Sequence, residues 1–430
     1  MNHAFNLKGL TKTAGMLLQK KIPGQLVIQL TDRCNAVCPQ CGMRKTEIFP
    51  RSSLSVDDVK RSLDAAAKNG IKIVSFTGGE PFLVLNELIQ LINYAGRAGI
   101  PNIRTGTNGF IFADAKAPLF QSKIERLAER LASTPLRNFW ISIDSAIPSV
   151  HEKMRGFPGV IQGIQKALPI FHAHGIYPAA NLGINRKILG KVTETLGRDP
   201  TTPPEHYLQA FYRAFRKAFK AFNRFIIESG FTMASNCYPM SIDAGSESHG
   251  LRPVYGATSA DHLVRFSESE RAFLYKALLD TISEFRSQIR IVSPRSSLYA
   301  LCRWYAGDHE IAYSCRGGID FFFIDSRGGD TYPCGYRGKE NLGKYWNLDR
   351  AVLADTPACR QCDWECFRDP SELFGPLLEL FSSPVDFLKR IKDDGEYFRL
   401  WFDDMKYYRV CNLFDGRRPP DLKRMRGFCQ

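Results

Sequence analysis

The chain has 430 residues, 44% of them hydrophobic, and a formal net charge of +14. A chain of this length can bury a large core and is expected to form two domains. No apolar run is long enough to span a membrane and no secretory signal is visible at the start, which favours a cytoplasmic protein. The positive charge suits an acidic partner, such as nucleic acid, an anionic membrane surface, a phosphorylated substrate or an acidic carrier, or it marks a generally basic protein.

The cysteines are numerous and unevenly distributed. The sequence contains 12 of them, most at 34–41 and 302–366. Thiols that cluster in a chain without an export signal predict metal ligands in a reducing compartment rather than disulfides.

The first cysteine group has the spacing C-x3-C-x2-C, formed by Cys34, Cys38 and Cys41, and follows the β-like run 26–30. We therefore expect these thiols on a loop at the carboxyl end of a buried strand. Three thiolates around a four-metal cluster leave one metal corner open for a substrate or cofactor. A structural zinc site, which wants four closed ligands, and three unreactive buried thiols are the alternatives.

Residues 1–24 form a basic lead-in to the predicted fold. Leucines and lysines indicate a short amphipathic helix there, which either packs on the core or lies on a membrane surface. Beyond it, strands and helices alternate. The predicted strands lie near 26–30, 71–76, 101–106, 139–144 and 176–184. The predicted helices run from the Ser55 cap to Gly70 and then near 84–98, 119–132 and 158–172.

This alternation predicts an α/β fold, with a parallel sheet and helices outside it. About six strand–helix units fit before the pattern changes, too few for a closed eight-fold barrel. We therefore expect a partial (β/α)6 parallel barrel over 25–300. A C-terminal cysteine-rich domain at 301–370 and a helical tail at 371–430 would follow it.

An insertion at about 190–265 interrupts the alternation. A linker at 199–204 precedes a long helix at 205–228, which carries phenylalanines on one face and basic residues on the others. We expect this helix to cover the barrel; a membrane, a partner or an apolar substrate is the alternative for its phenylalanine face. The remaining predicted elements are a sixth strand within 231–241, a loop framing the substrate mouth at 242–265, a helix at 268–285 and a strand at 288–293.

Polar motifs lie at the ends of four predicted strands, at 34–41, 77–81, 107–109 and 142–144. Because the carboxyl ends of parallel strands meet at one edge of such a sheet, we expect these motifs to form one site.

In this order, the cysteine triplet, Gly78-Gly79-Glu80-Pro81, Thr107-Asn108-Gly109 and Ser142-Ile143-Asp144 resemble the radical S-adenosylmethionine (radical SAM) enzymes. The resemblance covers roughly residues 25–185. It implies a [4Fe–4S] cluster on Cys34, Cys38 and Cys41, with the open iron chelated by the amine and carboxylate of S-adenosylmethionine (SAM). It also implies reductive cleavage of SAM to methionine and a 5′-deoxyadenosyl radical, which abstracts hydrogen from a substrate.

The resemblance further implies SAM-binding roles for the loop after the second strand. Gly78 and Gly79 would let the backbone approach the methionine, and Glu80 would accept from its ammonium group. Pro81 would stiffen the turn. Gln40 occupies a position that is often aromatic in the family, and its backbone is expected to contact adenine.

Five more residues resemble family positions that meet the ribose or the carboxylate of SAM. They are Asn108, Ser142, Asp144, Arg155 and Asn181. Arg155 would meet the carboxylate, and Asn181 the ribose. Ordinary turn or strand-end hydrogen bonds are the alternative for all five.

The second cysteine group resembles the auxiliary-cluster extensions, SPASM or the shorter twitch form, of some radical SAM enzymes. It consists of Cys315, Cys334, Cys359, Cys362 and Cys366. A full SPASM pattern has seven cysteines and a C-x5-C spacing that is absent here, so the resemblance implies one auxiliary [4Fe–4S] cluster. Cys315, Cys334 and two of the three later thiols would suffice, with Cys366 either the fourth ligand or free. A closed zinc site is the alternative.

The leading interpretation is a radical SAM oxidoreductase or transferase. A peptide undergoing modification is the first substrate class implied by the resemblance, followed by a small alcohol or sugar, or a lipid. An electron donor such as flavodoxin or ferredoxin is implied, peripheral membrane contact is an alternative location to the cytoplasm, and no nucleic acid is expected. The alternative function is a zinc-stabilised protein that binds nucleic acid or a membrane surface, in which the glycine–glutamate loop has no role. The sequence identifies no catalytic residue.

Overall fold

The computed structural model describes the chain from residue 15 to residue 428, apart from 16, 47–50, 197–202, 242–249, 311–312, 350–352 and 354–358. Most of the predicted N-terminal helix, most of the 199–204 linker and the first part of the mouth loop lie outside the described residues.

One sheet organises the described part of the chain. Its strands are β1 (Gly24–Thr31), β2 (Ile71–Gly78), β3 (Asn102–Thr107), β4 (Leu136–Ser142), β5 (Ala179–Gly183), β6 (Met233–Cys237), β7 (Arg290–Ile291), β8 (Phe321–Ile324) and β9 (Thr331–Tyr332). Their order is β7-β6-β5-β4-β3-β2-β1-β8-β9. All neighbours from β7 to β8 are parallel, whereas β8 and β9 are antiparallel. The open, mostly parallel sheet confirms the predicted partial barrel.

The helices lie mostly outside this sheet. They are α1 (Val56–Lys68), α2 (Leu85–Arg97), α3 (Phe120–Ala132), α4 (Pro148–Arg155), α5 (Val160–Ala173), α6 (Lys191–Glu194), α7 (Pro204–Glu228), α8 (Glu268–Phe285), α9 (Arg295–Tyr305), α10 (Glu365–Ser382), α11 (Pro384–Asp393), α12 (Gly395–Val410) and α13 (Leu422–Met425). Local capping explains two of their starts. The Ser55 hydroxyl accepts from the Asp58 amide at 3.1 Å, and Ser267 and Glu270 form a reciprocal capping box before α8.

Two strand predictions differ from the structure. The strand predicted at 139–144 spans Leu136–Ser142, because Leu136 already pairs with Ile103 of β3. The strand predicted at 288–293 has only two residues, and these pair with the first part of β6. The sequence analysis also missed α4 and α9, which are short and carry no long apolar stripe.

The long helix α7 covers the sheet, as expected. Its phenylalanine face is buried: Phe211 and Phe215 are 0% exposed and pack against Phe266, ahead of α8. Because this face lies in the core, it is not available to a membrane surface. None of the helices that the structure describes has the length and hydropathy needed to cross a bilayer.

The second cysteine region joins the main sheet instead of lying apart from it. Strand β8 pairs in parallel with β1, so Phe323 lies beside Val27. Both side chains belong to a buried cluster with Trp364 and Phe367 of the C-terminal part. The C-terminal residues therefore pack against the inner face of the sheet, while the other face packs against the helices.

Candidate active site

The cysteine loop and the loop after β2 lie in direct backbone contact. The amides of Gly79 and Glu80 donate to the carbonyls of Thr31 and Arg33, each at 2.8 Å. A Cβ atom on Gly78 would lie 2.2 Å from the Thr31 oxygen, and one on Gly79 would lie 2.2 Å from the Arg33 oxygen. Both positions therefore require glycine for this contact alone. The approach to methionine, which the resemblance implies, is a separate expectation.

Glu80 links the loops after β2 and β3. Its side chain is completely buried, and its two carboxylate oxygens accept from the amides of Phe82 at 2.9 Å and Asn108 at 2.5 Å. Burial raises the pKa of Glu80 to about 7, although these hydrogen bonds oppose the shift. In this structure the carboxylate organises the site, and its expected contact with the ammonium group of SAM stays a prediction.

The thiols of the first cysteine group lie on the predicted loop, directly after β1. The Cys34 sulfur accepts from the Ala36 amide at 3.5 Å, and the Cys41 sulfur accepts from the Met43 amide at 3.4 Å. Burial raises the pKa of all three thiols, that of Cys41 to about 11, and the charges of the neighbouring thiols raise those of Cys38 and Cys41 further. Bound metal would therefore be needed to hold these mutually close sulfurs as thiolates.

A buried ion pair lies beside the thiols. The Arg155 guanidinium meets the Asp144 carboxylate with both arms, at 2.8 and 2.9 Å. Burial lowers the pKa of Arg155, but Asp144 and the Cys38 thiol raise it more, so its pKa lies above its ordinary value. The positive charge of Arg155 lowers the pKa of all three thiols, but burial raises it more. The Arg155 carbonyl also accepts from the Val37 amide at 3.1 Å, which ties α4 to the cysteine loop.

Asn108 and Gln40 also lie at the cysteine loop. The Asn108 amide group donates to the side-chain oxygen of Asn35 at 2.9 Å and lies 3.7 Å from the Cys34 sulfur. The buried Gln40 side chain has no partner for its Oε1 atom among the described residues. The structure thus brings Asn108 directly to the Cys34 thiol, and Glu80 reaches this position through its bond with the Asn108 amide.

The remaining predicted positions lie at strand ends. Pro81 begins a short 3₁₀ helix, Pro81–Val84, which fixes the turn after Glu80. Ser142 is half-buried at the end of β4. Asn181 lies on β5, and its side chain exchanges hydrogen bonds with Cys237 of β6, at 3.3 and 3.4 Å.

Residues 250–258, the described part of the predicted mouth loop nearest the thiols, connect the two cysteine regions. The Gly42 amide donates to the Ala257 carbonyl at 3.3 Å. In the other direction, the Val254 amide donates to the Gly335 carbonyl at 2.8 Å. This segment therefore holds the cysteine loop against the loop that follows Cys334.

Four thiols of the second group line one small enclosed space. Its lining comprises Cys315, Gly317, Cys334, Arg337, Cys359, Cys362, Trp364, Phe367 and Arg368. Nε and Nη1 of Arg368 are buried there without an acceptor among the described residues. Four thiolates and orphaned cationic donors fit a sulfide-containing cluster, whose sulfurs accept hydrogen bonds. Cys366 is not among the lining residues.

Among the described residues, no three His, Cys, Asp or Glu side chains lie in positions from which they could bind a single metal ion together.

The sequence analysis missed Tyr255, which lies between the two thiol groups. Its hydroxyl hydrogen-bonds with Thr77 at 3.2 Å, and its ring packs near Trp364 at 5.8 Å between centroids. Burial raises its pKa, and the charges of Cys366 and Cys41 raise it further, so the hydroxyl lies within electrostatic reach of both thiols. No motif in the sequence marks this position, because the mouth loop has no periodic pattern.

Asp369 gives the structure a pH dependence that can be measured. Burial raises the pKa of this carboxyl to about 8, while hydrogen bonds from Ser297 and Tyr238 oppose the shift. A raised pKa means that the folded state binds the proton more tightly, so the free energy of unfolding falls as pH rises from about 4 to about 8. Asp369→Asn should remove a fall on the order of 2–4 kcal/mol over this range. Urea unfolding at pH 5, 6.5 and 8 measures it; parallel curves for the variant and the unaltered chain would contradict it.

The model of the radical SAM superfamily matches residues 28–189. Residues 28–189, which carry the first cysteine group, therefore match a radical SAM domain. The cofactors of this superfamily are a [4Fe–4S] cluster and SAM, and the thiols of the first cysteine group lie within the matched segment.

The curated relatives are enzymes. Residues of this chain are 24% identical over 180 residues to AdoMet-dependent heme synthase of Methanosarcina barkeri, covering 42% of this chain and 48% of that protein. They are 32% identical over 169 residues to GTP 3′,8-cyclase of Desulforamulus reducens, covering 37% and 47%. The chain thus spans about half the length of the curated relatives it matches.

Solved structures resemble the fold over more of the chain. Streptococcus suis SuiB bound to S-adenosylmethionine is 17% identical with a TM-score of 0.45, covering 76% of this chain and 64% of that one. Native anSMEcpe with bound AdoMet is 15% identical with a TM-score of 0.48, covering 91% and 100%.

Proposed function

We propose that this chain is a radical SAM enzyme that reductively cleaves SAM and uses the resulting 5′-deoxyadenosyl radical to abstract hydrogen from a substrate. One observation carries the proposal. The loop of Cys34, Cys38 and Cys41 lies in backbone contact with the Gly78–Glu80 loop at the carboxyl edge of the sheet. A zinc-stabilised binding protein would give that second loop no role.

Cys34, Cys38 and Cys41 would hold a [4Fe–4S] cluster, which would supply the one electron needed to cleave SAM to methionine and a 5′-deoxyadenosyl radical. The chain's own residues prepare the site. Backbone amides and the Arg155 charge favour the thiolate form of the cysteines. Glu80 holds the loops after β2 and β3 together, and residues 250–258 bind the cysteine loop through the Gly42 amide. We propose that an electron donor such as flavodoxin or ferredoxin serves this site.

We place a peptide undergoing modification first among the substrate classes, and a small alcohol or sugar second, following the resemblance of the second cysteine group. We no longer place a lipid among the substrate classes. The phenylalanine face of α7, which suggested it, is buried in the core with Phe211, Phe215 and Phe219.

Anaerobic reconstitution with iron and sulfide, followed by reduction in the presence of SAM, tests the function. We expect iron and sulfide to be incorporated and 5′-deoxyadenosine and methionine to form. A fully loaded protein that cleaves no SAM would contradict the proposal, and zinc in place of iron would favour the binding-protein alternative.

We further propose that Cys315, Cys334, Cys359 and Cys362 hold one auxiliary [4Fe–4S] cluster and that Cys366 is free. Because these four thiols line the enclosed space, Cys362→Ala should lower the iron content from about eight to about four atoms per chain. The matched variant Cys366→Ala should keep about eight. Metal analysis after reconstitution measures both. Equal losses in the two variants would show that the ligand assignment is wrong, and zinc bound at this site would favour the closed zinc alternative.

A further inference from the structure

Arg104 lies on the inner face of the sheet. Along the register, Val27 of β1 is opposite Ser75 of β2, which is opposite Arg104 of β3. Val27 belongs to the buried cluster shared with the C-terminal part, whereas Ile103, one residue before Arg104, belongs to the core under the outer helices. Side chains alternate along a strand, so Arg104 points towards the C-terminal part. The inward position of Arg104 could therefore have been predicted from its place in the sequence of β3.

Within the described part of the chain, this guanidinium has no acidic partner. Its Nε donates to the Ser75 hydroxyl at 3.1 Å, and no carboxylate of the described residues lies within ion-pair distance of it. The side chain is nevertheless half-buried, and burial lowers its pKa. An unpaired cation in such a place is costly, which indicates that its partner comes from outside the described residues.

Helix α10 faces Arg104 from the other side of the inner space. The thiol of Cys366 donates to Glu365 at 3.6 Å, and Arg104 and Cys366 lie within electrostatic reach of each other. Cys237 of β6 adjoins the same carboxyl. Glu365, Cys366 and Cys237 are half-buried although they point inwards. The space between them and Arg104 is therefore reachable by a small group.

The charges in this space limit what can bind. The strongest charge effects on Cys366 come from two acids, Glu365 and Asp369, and one base, Arg104. A single guanidinium matches one carboxylate, which it can hold with two parallel hydrogen bonds. A chain of phosphates carries several negative charges, and Arg104 is the one base among the strongest charge effects on Cys366 to offset them. The arrangement therefore favours a carboxylate over a polyphosphate.

We propose that Arg104 anchors a carboxylate group of the substrate inside the partial barrel, opposite Cys366 and Glu365. This inference rests on the proposed function and names a feature of its substrate. It also separates this chain's substrate from a nucleoside triphosphate.

The thiol of Cys366 provides a probe that needs no knowledge of the substrate. Iodoacetate is an anionic carboxylate and iodoacetamide is its neutral counterpart, and both alkylate thiols. The ratio of their rates at Cys366, mapped by mass spectrometry in the anaerobically cluster-loaded protein, reports how strongly a carboxylate is attracted to this space. Dividing this ratio by the same ratio at Cys302 on α9 removes the difference in intrinsic reactivity between the two reagents. Because both reagents are compared at the same thiol, a change in the reactivity of Cys366 cancels.

We expect the normalised ratio to favour iodoacetate in the unaltered protein and to fall about tenfold or more in Arg104→Met, the loss expected for a charge-assisted hydrogen bond. Arg104→Lys, which keeps the charge, should retain most of the preference. Arg97→Met, at an exposed position of α2, is the matched control and should leave the ratio unchanged. Circular dichroism and iron content establish that each variant is folded and loaded.

Two outcomes overturn the inference. One is a ratio that does not depend on Arg104, and the other is a Cys366 thiol that neither reagent reaches, since the space would then not admit a carboxylate. The proposed function is checked separately, in the unaltered protein, by formation of 5′-deoxyadenosine. A loaded protein that cleaves SAM but shows no dependence on Arg104 contradicts this inference alone.

Discussion

Cys38→Ala is expected to lower the rate of 5′-deoxyadenosine formation at least about a thousandfold and to remove about four iron atoms per chain. Cys38 is 6% exposed, and its thiol lies with those of Cys34 and Cys41 on the loop after β1. A cluster that already has an open corner is not held by two thiolates. Reconstituted protein, iron analysis and quantification of 5′-deoxyadenosine by liquid chromatography measure the effect.

Cys302→Ala is the control for this prediction. Cys302 is half-buried on α9 and does not line the enclosed space of the second cysteine group. Its loss should leave both iron content and SAM cleavage within about twofold of the unaltered protein, because surface or structural thiols away from such features contribute little. If Cys38→Ala kept the full iron content and cleavage rate, the first cysteine group would not be the site of the chemistry.

Asp144→Asn is expected to destabilise the protein without metal by about 3–5 kcal/mol. The substitution leaves the Arg155 guanidinium buried with no counter-charge, and the side chains of the pair are only 9% and 2% exposed. Because the Arg155 carbonyl holds the Val37 amide, we also expect slower incorporation of iron at the first cysteine group. Urea unfolding measures the first effect, and the time course of reconstitution measures the second.

A matched variant separates this effect from a general loss of charge. Asp57 pairs with Lys60 on α1, but its side chain is 90% exposed, so Asp57→Asn should change stability by less than about 1 kcal/mol. Adding Arg155→Gln to Asp144→Asn should recover part of the loss, because it removes the unpaired charge. Equal effects of the two single variants would show that the buried pair does not hold the cysteine loop in place.

Local signals made most of the fold predictable. The cap at Ser55 marked the start of α1, the glycine after α1 marked its end, and the periodic phenylalanines of α7 gave its length and its buried face. These are contacts between residues close in sequence, so they can be read without knowledge of the rest of the chain. The parallel sheet followed from the alternation of strands and helices.

Other features depend on contacts between distant residues. Strand β8, within the region predicted as a C-terminal domain at 301–370, pairs with β1 almost three hundred residues earlier in the chain. The short strand β7 and the helices α4 and α9 carry too little periodicity to be recognised. For the candidate site, the cysteine loop was foreseen, but not that Arg155 would fork onto Asp144 or that both oxygens of Glu80 would take backbone amides.

By itself the sequence determined the thiol triplet after the first strand, the polar motifs at successive strand ends and the parallel α/β architecture, because each depends on spacing along the chain. Only the tertiary structure decided which of the five later cysteines line the enclosed space and which does not. Cys362 lies before α10 and lines the enclosed space, whereas Cys366 lies in the first turn of α10 and faces Arg104. The physical reason is that side chains before a helix and in its first turn point in different directions. Which residues they contact depends on how α10 packs against the sheet.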